Sequence, residues 1–285
     1  MVTIGAHTFA WSPSLTDGEA TAIFERLEGS SVDFVEAASY DLDGLSPQHL
    51  SNLSSRHGLP HTLCSGLPRG LSLASADAGQ QQQAKDHVRR LIDFAQASGA
   101  FKISGPIHGD LSKPPMEPSH PDDWQRLCDA YHELGDEIAA WGKPFSVEPL
   151  NRYQSSLINT LEQADSLRQA VGQANFGILA DLFHANMEQG QLYNDLDTYQ
   201  PSTTHVHLCG ANRGVIGACH LDWQRLAQWL KRFPPGYAVS IETFNSQDPL
   251  LAQRTRTWRE LGDSSEQIVL KGAATLKHLI GAASP

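Results

Sequence analysis

Phe145-Ser-Val-Glu-Pro-Leu-Asn-Arg-Tyr-Gln-Ser-Ser-Leu-Ile-Asn-Thr160 carries a lone carboxylate, Glu148, from a short apolar run directly into a polar loop. Pro144 opens a run too short for a helix, and Pro149 has no N–H to give to a ladder, so the spacing predicts a strand that stops at Glu148. The C-terminal ends of parallel strands line the binding face of a barrel, where a carboxylate needs a cation or metal to offset its desolvation. The bland alternative is a loop brace in which Glu148 bonds Arg152.

On either side of this stretch the same rhythm repeats. Short apolar or alternating runs are each followed by a segment with helical spacing, the pattern of a parallel sheet. Eight such strands are predicted: Val2 to Phe9, Val32 to Ala37, His61 to Ser65, Phe101 to Ser104, Phe145 to Glu148, Phe176 to Asp181, Thr204 to Leu208 and Tyr237 to Glu242. Helices are predicted from Asp17 to Leu27, from near Ser46 to Gly58, from Asp77 to Ser98, from Asp122 to Trp141, from Thr160 onward, from Leu221 to Leu230 and from Ser265 to Ile280. The expected architecture is α/β: an eight-stranded parallel (β/α)8 TIM barrel with outer helices, one domain over residues 1–285. Pro114, Pro115, Pro118 and Pro121 make the loop after the fourth strand stiff and non-helical, a candidate lid.

Composition narrows the partners. With 21 Lys and Arg against 32 Asp and Glu, a net charge of -11 repels phosphate backbones and argues against nucleic acid, leaving a small neutral substrate. Cys64, Cys128, Cys209 and Cys219 form no Cys-x-x-Cys pair, which suits free thiols in a reducing, cytoplasmic setting. No run of about eighteen apolar residues suggests a membrane span, and no leader is expected.

Glu148, Asp181, His207 and Glu242 fall at or near the ends of four successive strands, one per strand-helix unit, so a closed barrel makes them converge. Three carboxylates together need a counter-cation, and three oxygen donors with one imidazole suit a divalent ion of intermediate hardness. Manganese or cobalt fits best, and magnesium also satisfies the set. Glu36 is read as the terminal carboxylate of the second strand. His205 shares a face with His207 by alternation and is read as a core residue, and His220 is left open. His7 and His108 lie on the loop face as candidate substrate contacts, joined there by His184, a predicted substrate binder.

Val147-Glu-Pro-Leu-Asn-Arg-Tyr153, Asp181-Leu-Phe-His-Ala-Asn-Met-Glu188, His205-Val-His207 with Asn212-Arg-Gly214, His220-Leu-Asp-Trp223 and Ile241-Glu-Thr-Phe244, in this order, resemble the ketose 3-epimerases of the D-tagatose and D-allulose type, within the xylose-isomerase-like barrel superfamily. The resemblance implies that Glu148, Asp181, His207 and Glu242 bind the metal, that Glu148 and Glu242 also exchange protons with the sugar, and that His184 and Arg213 hold substrate oxygens. It also implies a dimer or tetramer. Three departures stand out: Gln154 replaces a glutamate that faces the substrate, Cys209-Gly-Ala211 replaces a Ser-Glu-containing segment, and Cys219 replaces the glycine before His220. The expected activity is epimerisation of a ketose or keto-sugar derivative through an enediolate, most simply at C3. An aldose-ketose isomerase, an inosose isomerase or dehydratase and an oxidised-glycoside enzyme are the alternatives.

Overall fold

In the computed structural model, which describes residues 1–112 and 115–282, eight parallel strands close into a barrel in chain order. The chain runs β1 Thr3–His7, α1 Asp17–Leu27, β2 Phe34–Ala38, α2 Pro47–His57, β3 His61–Cys64, α3 Ala78–Ser98 and β4 Ile103–Gly105. It continues through α4 Asp123–Glu133, α5 Gly135–Trp141, β5 Phe145–Val147, α6 Leu161–Val171, β6 Phe176–Asp181, α7 Leu182–Glu188 and α8 Leu192–Tyr199. The last units are β7 Thr203–Leu208, α9 Trp223–Lys231, β8 Ala238–Ile241, α10 Pro249–Thr255 and α11 Ser265–Ala282. All eight expected strands are present, most a residue or two shorter than predicted.

Local chemistry accounts for the helix ends. Thr16 and Thr160 each close a capping box, with Glu19 and Gln163, and Ser46 caps α2 with Pro47 in its first turn. Gly58 and Gly99 end α2 and α3 in the left-handed conformation, where a side chain would be strained. The helix expected from Asp122 to Trp141 is instead two helices, broken at Leu134 just before Gly135, a poor helix former. The short helices α7, α8 and α10 were not predicted. Pro115, Pro118 and Pro121 lie in a stretch without helix or strand, as expected, and Pro114 lies outside the described residues.

Alternation along the strands sorts the side chains. One set, including Ile4, Val35, Ile103, Val147, Ile178, Val206 and Ile241, faces the helices and packs against Phe24, Leu53, Leu91, Leu167, Leu230 and Val269 in the main apolar core. The opposite set fills the barrel and is unusually polar: Glu36, Ser104, His205, His207 and Ser240 are all buried and hydrogen-bonded to one another. Register aligns Asp181 with His207 and His7 with Glu36 on neighbouring strands. At the end of β4, Gly105 has φ 127°, and an added Cβ would lie 2.1 Å from the Ser65 carbonyl oxygen. Its own carbonyl accepts the Glu148 N–H, so this tight corner helps fix where Glu148 leaves the barrel. Among the described residues no helix is long and apolar enough to cross a membrane.

Candidate active site

Four side chains converge at the C-terminal mouth. One ligand-type atom from each of Glu148, Asp181, His207 and Glu242 lies within 4.8 Å of every other, and all four residues are buried. His207 is the centre of this group. Its Nδ1 faces Glu242 Oε2 at 3.2 Å, Asp181 Oδ2 at 3.6 Å and Glu148 Oε1 at 3.8 Å, while Nε2 points the other way, to Glu36 Oε2 at 2.9 Å.

The carboxylates differ in what holds them. Asp181 caps α7 by accepting the His184 N–H through Oδ1, and its Oδ2 lies 2.5 Å from Arg213 Nη1. Glu242 Oε2 lies 2.7 Å from the same Nη1, and its Oε1 is 3.6 Å from His7 Nε2. Among the described residues the Glu148 carboxylate accepts no hydrogen bond; its Oε1 has His184 Nε2 at 3.8 Å. The alternative in which Arg152 braces Glu148 is not what forms: Arg152 pairs with Glu188 at 2.9 Å.

These surroundings separate the proton affinities of the two glutamates. Burial, reinforced by the charges of Glu242 and Asp181, pushes Glu148 well above the usual carboxylate range despite His207 nearby. Burial acts on Glu242 too, but Arg213, His207 and His7 overcome it and hold Glu242 below that range. Asp181 likewise sits well below its usual value, with Arg213 and His184 outweighing burial. Against burial, Glu36 and Glu242 hold His207 well above the usual histidine range. In metal-free protein, burial thus favours the protonated form of Glu148, whereas Arg213 and His207 favour the ionised form of Glu242.

His184 and Arg213 sit side by side. Asn151 gives two N–H groups to His184 Nδ1, from its backbone at 3.1 Å and its side chain at 2.8 Å, while the other ring nitrogen, Nε2, meets a further donor, the Arg213 guanidinium. Burial pushes this histidine down to about 4. Nε2 is 3.1 Å from Arg213 Nη2. The guanidinium lies between the rings of Phe183 and Phe244, 4.5 and 5.0 Å from their centroids, and its buried Nε has no partner among the described residues. Arg213 has φ 66°, a conformation uncommon for a residue with a Cβ, and Thr243 Oγ1 donates to its carbonyl at 2.7 Å.

The remaining expected site residues are dispersed. His7 adjoins the cluster, with Nδ1 accepting the Phe9 N–H, so that Nε2 carries the proton and faces Glu242. His108 is buried behind the fifth strand's end, its Nε2 3.2 Å from the Glu148 carbonyl and its Nδ1 without a partner among the described residues. Gln154 lies on the loop after β5, where with Ser72, Asp110 and Leu157 it lines a cleft of about 340 Å³. His220 is set apart, near Asn186. One expectation needs correction: Glu36 is not a strand-end carboxylate but sits in the middle of β2, inside the barrel, because Ala37 and Ala38 carry the strand onward. His205 is a buried interior residue as expected, and it bonds Glu36 at 2.8 Å. Asn151, which orients His184, was missed as an individual residue although it lies within the quoted motif.

The proton affinity of Glu148 has a measurable consequence. A carboxyl raised on folding favours the folded state below its unfolded pKa and loses that advantage as pH rises through the folded value, because the unfolded chain ionises more readily. In metal-stripped protein, Glu148→Gln should therefore raise the melting temperature relative to wild type more at about pH 8 than at about pH 5. Differential scanning calorimetry at the two pH values checks this, and an equal difference at both refutes the raised carboxyl.

Comparison with known proteins is consistent across the chain. The sequence model of the family described as xylose isomerase-like TIM barrel matches residues 24–268. A protein of Synechocystis sp. named probable ketose 3-epimerase is 29% identical over 276 residues, covering 97% of this chain and 96% of that protein. An L-ribulose 3-epimerase of Mesorhizobium japonicum is 25% identical, covering 92% of this chain and 88% of its own length. The crystal structure of D-allulose 3-epimerase from Methylomonas sp. in complex with D-allulose superposes with a TM-score of 0.89 at 22% identity, over 97% of this chain and 96% of that one.

Proposed function

The chain belongs to the xylose isomerase-like TIM barrel family, and from that premise we propose that it is a divalent-metal-dependent epimerase of a ketose or keto-sugar derivative, inverting C3 by proton abstraction and return. The observation that carries this reading is the convergence of Glu148, Asp181, His207 and Glu242 within 4.8 Å. The curated relatives named as ketose 3-epimerases over nearly the whole chain support the reaction class.

The residues fit a divalent cation on their own chemistry. Three buried carboxylates and a single imidazole nitrogen face one another, and among the described residues Arg213 and the histidines are what offset their charge. Oxygen-rich sets with one nitrogen suit manganese, cobalt or magnesium better than structural zinc. When bound, such an ion polarises a carbonyl and stabilises negative charge on its oxygen.

This chain's residues would then move the proton. Glu148 and Glu242 take the two faces of C3: one removes the proton, the electron pair flows to the C2 carbonyl oxygen, and the other returns a proton to the opposite face. His184 Nε2 and Arg213 Nη2, 3.1 Å apart, would hold substrate oxygens. His7 would help to hold Glu242, His108 supports the Glu148 backbone, and Gln154 contributes to selection of the sugar. Burial of the four ligands keeps bulk water from reprotonating the wrong face.

The test is a panel of free ketoses, inososes and keto-glycosides incubated with manganese-loaded protein in heavy water. Deuterium at the inverted carbon of a C3 epimer is expected, and a product without solvent deuterium rules out the two-carboxylate route. An amide at position 154 donates and accepts hydrogen bonds but carries no charge to draw on a hydroxyl proton. Gln154→Glu should therefore reorder the panel toward D-fructose, D-tagatose or D-allulose, and an unchanged ranking removes Gln154 as the selectivity element.

A further inference from the structure

Glu36 has no place in the proton transfer, yet it is the most completely engaged carboxylate in the barrel. It is fully buried, with no exposed surface, in the middle of β2. Oε1 accepts from Ser104 Oγ on β4 at 2.8 Å and from His205 Nε2 on β7 at 2.8 Å, and Oε2 faces His207 Nε2 at 2.9 Å. β2 and β7 are not neighbours in the barrel, so these bonds cross its interior. Behind them Lys102 Nζ donates to the Thr204 carbonyl and lies 3.3 Å from His205 Nδ1.

The directions of these bonds follow from the groups themselves. His205 Nδ1 lies between Lys102 Nζ at 3.3 Å and the Ala238 carbonyl at 3.2 Å, and its Nε2, 2.8 Å from Glu36 Oε1, points a proton at a carboxylate that only accepts. An ionised carboxylate only accepts, so His207 must donate to it through Nε2–H. Nδ1 faces Glu148, Asp181 and Glu242 and in the metal-free protein bonds Glu242 Oε2 at 3.2 Å; with Nε2–H held by Glu36, the Nδ1 proton is the one a cation would displace, which leaves the lone pair on that nitrogen.

We propose that Glu36 is a positioning residue that fixes the tautomer and ring orientation of His207, presenting Nδ1 as a metal ligand from a rigid mount spanning β2, β4 and β7. The proposal rests on the metal-site reading above and adds a residue to it. Such an outer carboxylate also makes the imidazole a stronger donor to a cation. A merely structural brace at this depth is better served by apolar residues, because desolvating a carboxylate costs several kcal/mol before any bond is made. An amide cannot replace it. In Glu36→Gln one side accepts and the other donates, so an N–H is forced against either His207 Nε2–H or the Ser104 and His205 donors. The conflict is relieved when His207 moves its proton to Nδ1, where it no longer ligates.

The experiment is manganese titration of chelated, full-length protein by calorimetry, comparing wild type, Glu36→Gln and Ser104→Ala. Glu36→Gln should weaken manganese binding roughly 10- to 100-fold. Ser104→Ala, which removes a donor to Glu36 but no contact to His207, should weaken it far less. In wild-type protein labelled with 15N-histidine and loaded with diamagnetic magnesium, His207 should show a protonated Nε2 and an unprotonated Nδ1. That measurement stands even when Glu36→Gln fails to fold. Wild-type affinity in Glu36→Gln, or a proton on Nδ1 of His207 in the loaded wild type, overturns the role of Glu36 alone. A wild type that takes up no stoichiometric manganese overturns the underlying metal-site reading instead.

Discussion

Glu148→Gln and Glu242→Gln should each lower turnover by roughly a thousandfold or more, at the upper range for loss of a positioned acid or base. Both residues follow the last residue of their strands, Val147 and Ile241, and both project into the mouth rather than the helix-facing core, so circular dichroism should be unchanged. The two variants should still differ. Glu148 accepts no hydrogen bond among the described residues, so its amide leaves the surrounding groups paired, whereas Glu242→Gln takes a charge from Arg213 and His207 together. Glu242→Gln is therefore the less stable of the two. Isotope exchange separates the bases: with one carboxyl gone, the epimer whose proton faces the surviving carboxyl exchanges with heavy water but is not inverted. A variant that keeps near-normal epimerisation at saturating manganese removes that residue from the proton path.

Much of this arrangement is legible along the chain because strand ends are marked locally. Pro149 after Glu148, and the apolar runs ending on Asp181 and Glu242, put three carboxylates on the same edge of a barrel, and the alternation in His205-Val-His207 places both rings on one face. What the chain does not announce is which interior residues meet across the barrel. Glu36 and His205 are 2.8 Å apart on strands separated by most of the sequence, and no local pattern pairs them. Glu36 reads as a strand end because the two alanines after it carry little strand signal, whereas the pairing of Ala37 and Ala38 with β3 extends the strand. Helices α7, α8 and α10 are hidden for another reason: each has only about two turns, too few for a periodic stripe to register. The double pairing of Arg213 is invisible in Asn212-Arg-Gly214, since it depends on the left-handed backbone that turns the side chain inward.

That double pairing leads to the second large effect, at Arg213. Its Nη1 lies 2.5 Å from Asp181 and 2.7 Å from Glu242, so in metal-free protein one guanidinium offsets two buried carboxylates. Arg213→Ala leaves both without that partner, and breaking a buried pair by removing one member costs about 3–5 kcal/mol. The loss should depend on pH with a definite sign. Asp181 and Glu242 have folded pKa values held below their ordinary 3.8 and 4.5, so the stability they contribute is present above those values and disappears as pH falls through the folded ones. The variant should therefore be destabilised most near neutrality and least in acid. Manganese should restore much of its stability, because a divalent ion supplies the missing charge to the same oxygens, yet turnover should stay depressed because His184 has lost its neighbour at 3.1 Å. Arg213→Lys should fall short as well: an ammonium is a point charge without the planar fork that reaches Asp181, Glu242 and His184 together while lying between Phe183 and Phe244. Denaturant melts of chelated and manganese-loaded protein across pH, run beside turnover assays, make the comparison. If metal-free Arg213→Ala unfolds at the wild-type midpoint near neutrality, the guanidinium is not the counter-ion of these carboxylates.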